Sequence, residues 1–341
     1  MKKFKLITLF LLTIILTTSC TSKADPNQKI SRTGLEIGTV VSITLYDTED
    51  ESIMDGAFEI LNEIDNEFSL SIESSTLNKI NQNASIAPVE INDDITQVIE
   101  SSLYYSELSD GLFDISIEPL VSLWGIGSEN ARVPSQDEIN SALIKINYNN
   151  IVLDKNTVFF DSESTKLDFG AIAKGFAADK IVNYLKDNGI NRAIISLGGN
   201  VYALGTKSED STWRIGIQNP NEDRGDIIGS LSVSDKSVVT SGLYERYFEE
   251  NGIRYHHILN TSDGYPIDNE LLGVSIISDR SIDGDALSTI TFILGVDEGM
   301  KLIESLDQID AIFVTKDSKV YSTSGVKTIF KLTNDKFTLV N

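Results

Sequence analysis

The chain contains a single cysteine, Cys20, among its 341 residues, so no disulfide can form within it. Histidine is nearly as scarce, with His256 and His257 the only two. Without a cysteine–histidine cluster, the sequence argues against zinc. No G-x-S-x-G elbow occurs, which argues against a Ser-His-Asp hydrolase. The six prolines form no linker, no repeat of fixed period is visible and no stretch is of low complexity. The mature chain therefore reads as one compact unit with two lobes. Positive charge is the other deficit: 28 Lys and Arg stand against 51 Asp and Glu, a formal charge of −23. Such a chain is a poor nucleic-acid binder. It also repels an anionic nucleotide at long range, so any phosphate it holds needs a local cation, a helix N-terminus or aimed backbone N–H groups.

The apolar run Leu6–Leu16 is too short to span a bilayer. It follows Lys2, Lys3 and Lys5 and ends at small residues, which is the pattern of a secretory signal. Ser19-Cys20 followed by Thr21-Ser22 looks like a bacterial lipoprotein processing site, although Thr17 stands where leucine is commoner. The expectation is a signal peptide at 1–19, lipidation of Cys20, a polar tether over 20–30 and a folded domain over 31–341. That would anchor the chain to the cell membrane on its extracytoplasmic side. The alternative is an unmodified cysteine beside an ordinary signal-peptidase site. Removing 1–19 leaves 25 basic against 51 acidic residues, or −26.

Glu36–Asp47 alternates like a strand, and Ile53, Ala57, Leu61, Ile64 and Phe68 recur at helical spacing over about Glu51–Phe68. Asn92-Asp93 caps a second helix, ending before Gly111. A third runs from beyond Gly170 to about Lys186 and is closed by Gly189. "RAIISLGG", "VYALG", "WRIGIQ", "GSLSVS", "SVVTSG" and "RYHHIL" then read as strands. "DALSTITFIL" reads as a helix ending at Gly295, followed by another over Asp297–Leu306. The order is neither regular βαβ nor all-β. It reads as α+β, with largely antiparallel sheets and several long helices.

Four stretches carry possible chemistry. In "LDFGAIAKGFAAD" (Leu167–Asp179) small residues and Lys174 open a helix, where an anion can bind; taken alone, steric relief at a strand-to-helix turn is the commoner reason for such residues. Gly198-Gly199 in "SLGGNVYALG" reads as a hairpin turn or as a close backbone approach to a flat ligand. Asp285 and Thr289 lie four apart on a helix, so their oxygens face one way and suit a hard cation such as Mg²⁺. The alternative is a dipole-favoured Asp and a Thr bonded to its own helix. His256 and His257, adjacent in a strand, point to opposite faces, so at most one serves a given site as a base.

Together and in this order, these stretches resemble the ApbE family of FAD:protein FMN transferases. "SSTLNKIN", "DGLFDISIEPLVSLWGIG", "WRIGIQNP", "VVTSGLYERYFEENGIRYHHI" and "DGYPI" add to the likeness, which covers nearly all of the chain from about Glu36. The resemblance implies a T-fold-related α+β fold. It also implies Mg²⁺-dependent transfer of the FMN half of FAD, its substrate, onto a Thr or Ser hydroxyl of an exported acceptor protein, with release of AMP. It assigns Asp285, Thr289 and the backbone oxygen of Ala171 to the metal, and His257 to the base. Asp168, Lys174, Leu259, Ile37 and the segment Leu112, Phe113, Asp114 become flavin-nucleotide contacts. Ser71 stands where the family often carries a stacking tyrosine, and Thr261 and Asp263 depart from its usual turn. The Ser71 difference leaves open a Mg²⁺-dependent FAD pyrophosphatase, and a non-enzymatic flavin-binding lipoprotein is the third reading.

Overall fold

The structure, a computed structural model, describes residues 29–222 and 225–340. The expected signal peptide, Cys20 and the tether up to Gln28 lie outside the described residues. The first strand begins at Lys29, two residues ahead of the expected domain start. No helix among the described residues is long and apolar enough to cross a membrane.

A nine-stranded sheet organises the described residues. Its order is Lys29–Glu36, Thr39–Tyr46, Ala193–Leu197, Asn200–Leu204, Lys236–Gly242, Leu271–Ser278, Asp310–Thr315, Lys319–Ser322 and Thr338–Val340. Every neighbouring pair is antiparallel except the last. Both faces are covered, so the inner strand Leu271–Ser278 is buried at every position but Leu272 instead of alternating. Ile276 packs into the larger core on one face and Ile277 into a smaller core on the other.

Four long helices pack in the core on the first face; one of them, Asp93–Leu108, is the helix expected after the Asn92 cap. Glu51–Phe68 buries Met54, Ala57, Leu61, Ile64 and Phe68 along one stripe and is capped by the Asp50 carboxylate, which accepts the Ser52 N–H at 2.9 Å. Ala173–Asp187 buries Ala177, Ile181 and Leu185. Ser281–Glu304 is two helices joined across a kink at Gly295, where φ is 77°; this is the expected stop at that glycine. The second face carries a small sheet of Trp213–Gln218, Ile227–Val233 and Phe330–Leu332. A third cluster, around Trp124, Leu120 and Ile139, holds the turn Asn260–Tyr265 through a Trp124 Nε1–H bond to the Gly264 carbonyl at 2.8 Å.

One expected strand is corrected. Glu36–Asp47 does not run straight; it reverses at Ile37-Gly38, where both residues have positive φ (44° and 69°). That is the backbone shape of a two-residue hairpin turn, normally taken by Asn-Gly. An isoleucine there hides the turn from pattern reading. The short helices Thr76–Asn83, Glu118–Trp124 and Gln136–Leu143 also lacked a long apolar stripe to announce them.

The helices Ala173–Asp187 and Ser281–Glu304 meet at Gly175, where a Cβ would lie 2.4 Å from the Ser281 carbonyl oxygen. That oxygen is backbone and cannot swing away. Gly175→Ala is therefore expected to cost about 1–3 kcal/mol through overpacking, read as a lowered thermal midpoint; an unchanged midpoint would contradict the close approach.

Candidate functional site

A cavity of about 390 Å³ opens at one end of the large sheet, where turns and helix starts from distant parts of the chain converge. The hairpin turn brings Ile37 and Gly38, the end of helix Glu51–Phe68 brings Asp65 and Phe68, and Ser69 and Ser71 follow it. Asp168, Gly170 and Lys174 come from the strand-to-helix turn, Gly198 and Gly199 from a second hairpin, and His257 and Asp285 from the C-terminal half. So Ile37, Ser71, Asp168, Lys174, His257 and Asp285, expected from the sequence, share one cavity.

Asp285 is the centre of the polar network. It is only 4% exposed, yet its carboxylate has partners: Oδ2 accepts the Gly175 N–H at 2.8 Å, and the Lys174 ammonium lies 3.3 Å from Oδ1. Gly175 lies in the first turn of its helix, so Asp285 meets one of the N–H groups that the helix leaves unpaired. Thr289 is half-buried one turn further along the same helix, and Ala171 stands two residues before the helix that supplies Gly175. Neither lines the cavity itself.

The helix that carries Asp285 is also tied down at its start. Both oxygens of Asp179 accept backbone N–H groups there, from Ser281 at 2.7 Å and Ile282 at 2.9 Å. Burial raises the Asp179 carboxyl from 3.8 to about 6. A raised folded-state value means that the native state holds its proton better than the unfolded chain does. Stability from this group is thus fully present below pH 3.8 and is lost as the pH rises toward about 6. Asp179→Asn is expected to flatten that part of the stability profile, checked by thermal midpoints from pH 4 to 7; the same slope in both proteins would contradict it.

The two histidines divide as expected. His256 is buried, with Nε2 bonded to the Ile267 carbonyl at 2.8 Å and Nδ1 facing the Ile258 N–H at 3.3 Å. Both ring nitrogens are in use, so it serves the structure. His257 reaches the cavity and bonds through Nδ1 to the Arg246 carbonyl at 3.1 Å. A carbonyl can only accept, so Nδ1 carries the proton and Nε2 keeps its lone pair. Burial, followed by weaker effects that include the Arg246 and Lys174 cations, pushes His257 down from 6.5 to about 4. Burial also raises Asp168, whose Oδ1 accepts the Gly170 N–H at 2.6 Å.

Other expected contacts are not in the cavity wall. Phe113 packs in the large core and Leu259 in the Trp124 cluster. The Asp114 carboxylate is buried and occupied, accepting the Ser116 N–H and hydroxyl at 2.7 and 2.6 Å and the Tyr148 N–H at 2.9 Å. Its side chain shapes the segment after Leu112. Thr261, at a departing position, donates its hydroxyl to the Gly111 carbonyl at 2.8 Å and ties the turn to that segment. Asp263 accepts the Tyr265 N–H at 2.9 Å, so the unusual turn is held.

Sequence reasoning missed several wall residues: Asp65, Thr240, Ser241, Glu245 and Arg246. Arg246 donates to the Gly38 carbonyl at 3.2 Å and so bridges the first hairpin turn and the histidine strand. Its signal lay in "SGLYER", read only as part of a longer likeness. Among the described residues the cavity carries four carboxylates (Asp65, Asp168, Glu245, Asp285) against two cations (Lys174, Arg246). No group of three His, Cys, Asp or Glu side chains there could hold a metal alone.

A family model described as the ApbE family matches residues 37–313. An FAD:protein FMN transferase of Klebsiella pneumoniae (strain 342) is 38% identical over 300 residues, covering 87% of this chain and 93% of that protein. Another, of Treponema pallidum (strain Nichols), is 34% identical over 340 residues, 94% of each. Among solved structures, the ApbE protein of Thermotoga maritima superposes with a TM-score of 0.81 at 31% identity, covering 89% of this chain and 99% of that one. The flavin transferase ApbE of Vibrio cholerae gives 0.80 at 25% identity with the same coverage.

Proposed function

The chain belongs to the ApbE family, and on that premise we propose that it is an FAD:protein FMN transferase that uses Mg²⁺ to move FMN from FAD onto a Thr or Ser hydroxyl of an exported acceptor protein. The observation that carries this reading is the buried Asp285 beside Lys174 in a cavity that also holds His257. Among the described residues, four carboxylates around two cations make poor company for a pyrophosphate. A divalent cation fits that imbalance, and the oxygen donors Asp285, Thr289 and the Ala171 carbonyl suit Mg²⁺, which keeps places for water and phosphate. When bound, the ion would offset the pyrophosphate charge and stabilise the leaving AMP.

The protein's own part is positioning and proton transfer. The Lys174 and Arg246 cations face the nucleotide phosphates. The acceptor hydroxyl oxygen attacks the FMN phosphorus, the bond from that phosphorus to the AMP oxygen breaks, and the hydroxyl proton passes to Nε2 of His257. Nδ1–H, held by the Arg246 carbonyl, keeps the ring turned for that task. Lipidation at Cys20 would hold the enzyme on the extracytoplasmic face of the membrane, beside exported acceptors.

One observation favours a second reading. Ser71 lines the cavity with its hydroxyl 2.8 Å from that of Ser69, so the wall offers no stacking ring there and water has room to compete as a Mg²⁺-dependent FAD pyrophosphatase would require. AMP release from FAD and Mg²⁺, with and without acceptor, separates the two. Transfer predicts that release depends on the acceptor. Equal rates in its absence select hydrolysis, and flavin binding with no AMP under either condition selects a binding protein.

A further inference from the structure

The helices Ala173–Asp187 and Ser281–Glu304 each begin without a cap of their own. Neither Ile172 nor Arg280, at the two cap positions, gives the first turn a side-chain hydrogen bond. Each helix is capped by the other instead. Asp285, in the second turn of one, accepts the Gly175 N–H of the other through Oδ2 at 2.8 Å. Asp179 returns the bond, accepting the Ser281 N–H at 2.7 Å through Oδ1 and the Ile282 N–H at 2.9 Å through Oδ2. Donor and acceptor stand four residues apart on both helices, Gly175 with Asp179 and Ser281 with Asp285. Each pair therefore shares one helix face, and the four residues close a ring between the two helix starts.

The ring has little play. Gly175 already touches the Ser281 carbonyl, so the two starts cannot move closer. From the sheet below, the Ser237 hydroxyl donates to that of Ser281 at 2.8 Å. A Cβ on Gly284, the residue before Asp285, would lie 2.8 Å from Cγ2 of Val239. Of the four ring residues, only Asp285 lines the catalytic cavity.

We infer that Asp179 is a positioning residue, which sets where the Asp285 carboxylate stands for the cation. The inference rests on the Mg²⁺ role proposed above for Asp285. A local cap would satisfy the same N–H groups, as Asp50 does for Glu51–Phe68. A local cap cannot tie one helix start to another. The exchange of caps does so, and it holds the Gly175–Asp285 bond in register. Oδ2 of Asp285 is thereby committed to the protein, and Oδ1 is left beside the Lys174 ammonium.

The test uses the full chain with FAD, Mg²⁺ affinity being read by calorimetry beside the thermal midpoint. Asp179→Ala opens the ring on one side. Asp179→Ala combined with Arg280→Ser opens it equally, but gives the second helix a cap of its own. Arg280 is half-exposed and 3.7 Å from Asp283, a contact whose loss matters little. Asp179→Ala is expected to weaken Mg²⁺ binding about 10–100-fold and to lower the midpoint. The double variant should recover the midpoint and not the Mg²⁺ affinity. Recovery of both overturns the inference, because Asp179 would then merely cap a helix. Unchanged Mg²⁺ affinity in Asp179→Ala overturns it as well. Should the alanine variant not fold, Asp179→Asn keeps the volume and one of the two N–H bonds, and the same loss of Mg²⁺ affinity is expected of it. If the unaltered chain takes up no Mg²⁺ with FAD, the metal reading fails first and the inference with it.

Discussion

Asp285→Ala is expected to lower kcat/KM for flavin transfer by on the order of 10³-fold or more. The carboxylate is the buried anion of the cavity, and three things depend on it. It fixes the Lys174 ammonium, it satisfies the Gly175 N–H, and on the proposed reading it is the one charged ligand offered to Mg²⁺. Truncation also leaves a buried N–H without a partner, a stability cost of about 1–3 kcal/mol. Asp285→Asn separates the two effects. Its amide oxygen still accepts from Gly175 and its volume is nearly the same, so the fold should hold. The lost charge should abolish Mg²⁺ binding, read by calorimetry in the presence of FAD. Transfer at the unaltered rate in both variants would remove Asp285 from the reaction.

His257→Asn should slow transfer by about 10²–10⁴-fold, the contribution of a positioned general base. Asparagine can still donate to the Arg246 carbonyl, so the loss isolates the proton acceptor from the structural bond. The pH behaviour gives a second check. Burial holds the His257 folded-state value near 4, against 6.5 for the free side chain. The stability that comes with a neutral imidazole is fully present above pH 6.5 and is lost as the pH falls toward 4, because the unfolded chain takes up the proton first. In the free enzyme the ring is neutral from about pH 5 upward and ready to accept a proton. The acid limb of kcat/KM assigned to His257 should then fall near pH 4. A limb at 6.5 that disappears in the variant would mean a histidine far more exposed to water than this cavity allows.

How much of this was legible in the sequence depends on the range over which each feature acts. The helix Glu51–Phe68 and the stop at Gly295 are local, written in apolar spacing and one glycine, and they stand where the pattern puts them. Asp285 and Lys174 were visible as types suited to a cation and an anion respectively, but their 3.3 Å contact joins residues 111 positions apart. No periodicity encodes that meeting; only the ordered motifs, through family likeness, pointed to it. The hairpin turn at Ile37 escaped because a β-branched residue is a poor advertisement for positive φ. Asp114 was expected as a nucleotide contact only through the family likeness of its segment; its side chain caps the turn Ile115–Ile117, which no local pattern announced. The bridge that Arg246 makes to the Gly38 carbonyl arises from packing of separate strands and could be found only in three dimensions.

The central claim is that this cavity transfers FMN to a protein hydroxyl instead of merely binding or hydrolysing FAD. Intact-mass measurement of an exported acceptor incubated with the chain, FAD and Mg²⁺ tests it most directly. The account predicts that the acceptor gains one FMN phosphoester, matched by equimolar AMP and lost when Mg²⁺ is chelated. An acceptor of unchanged mass while AMP accumulates would contradict it.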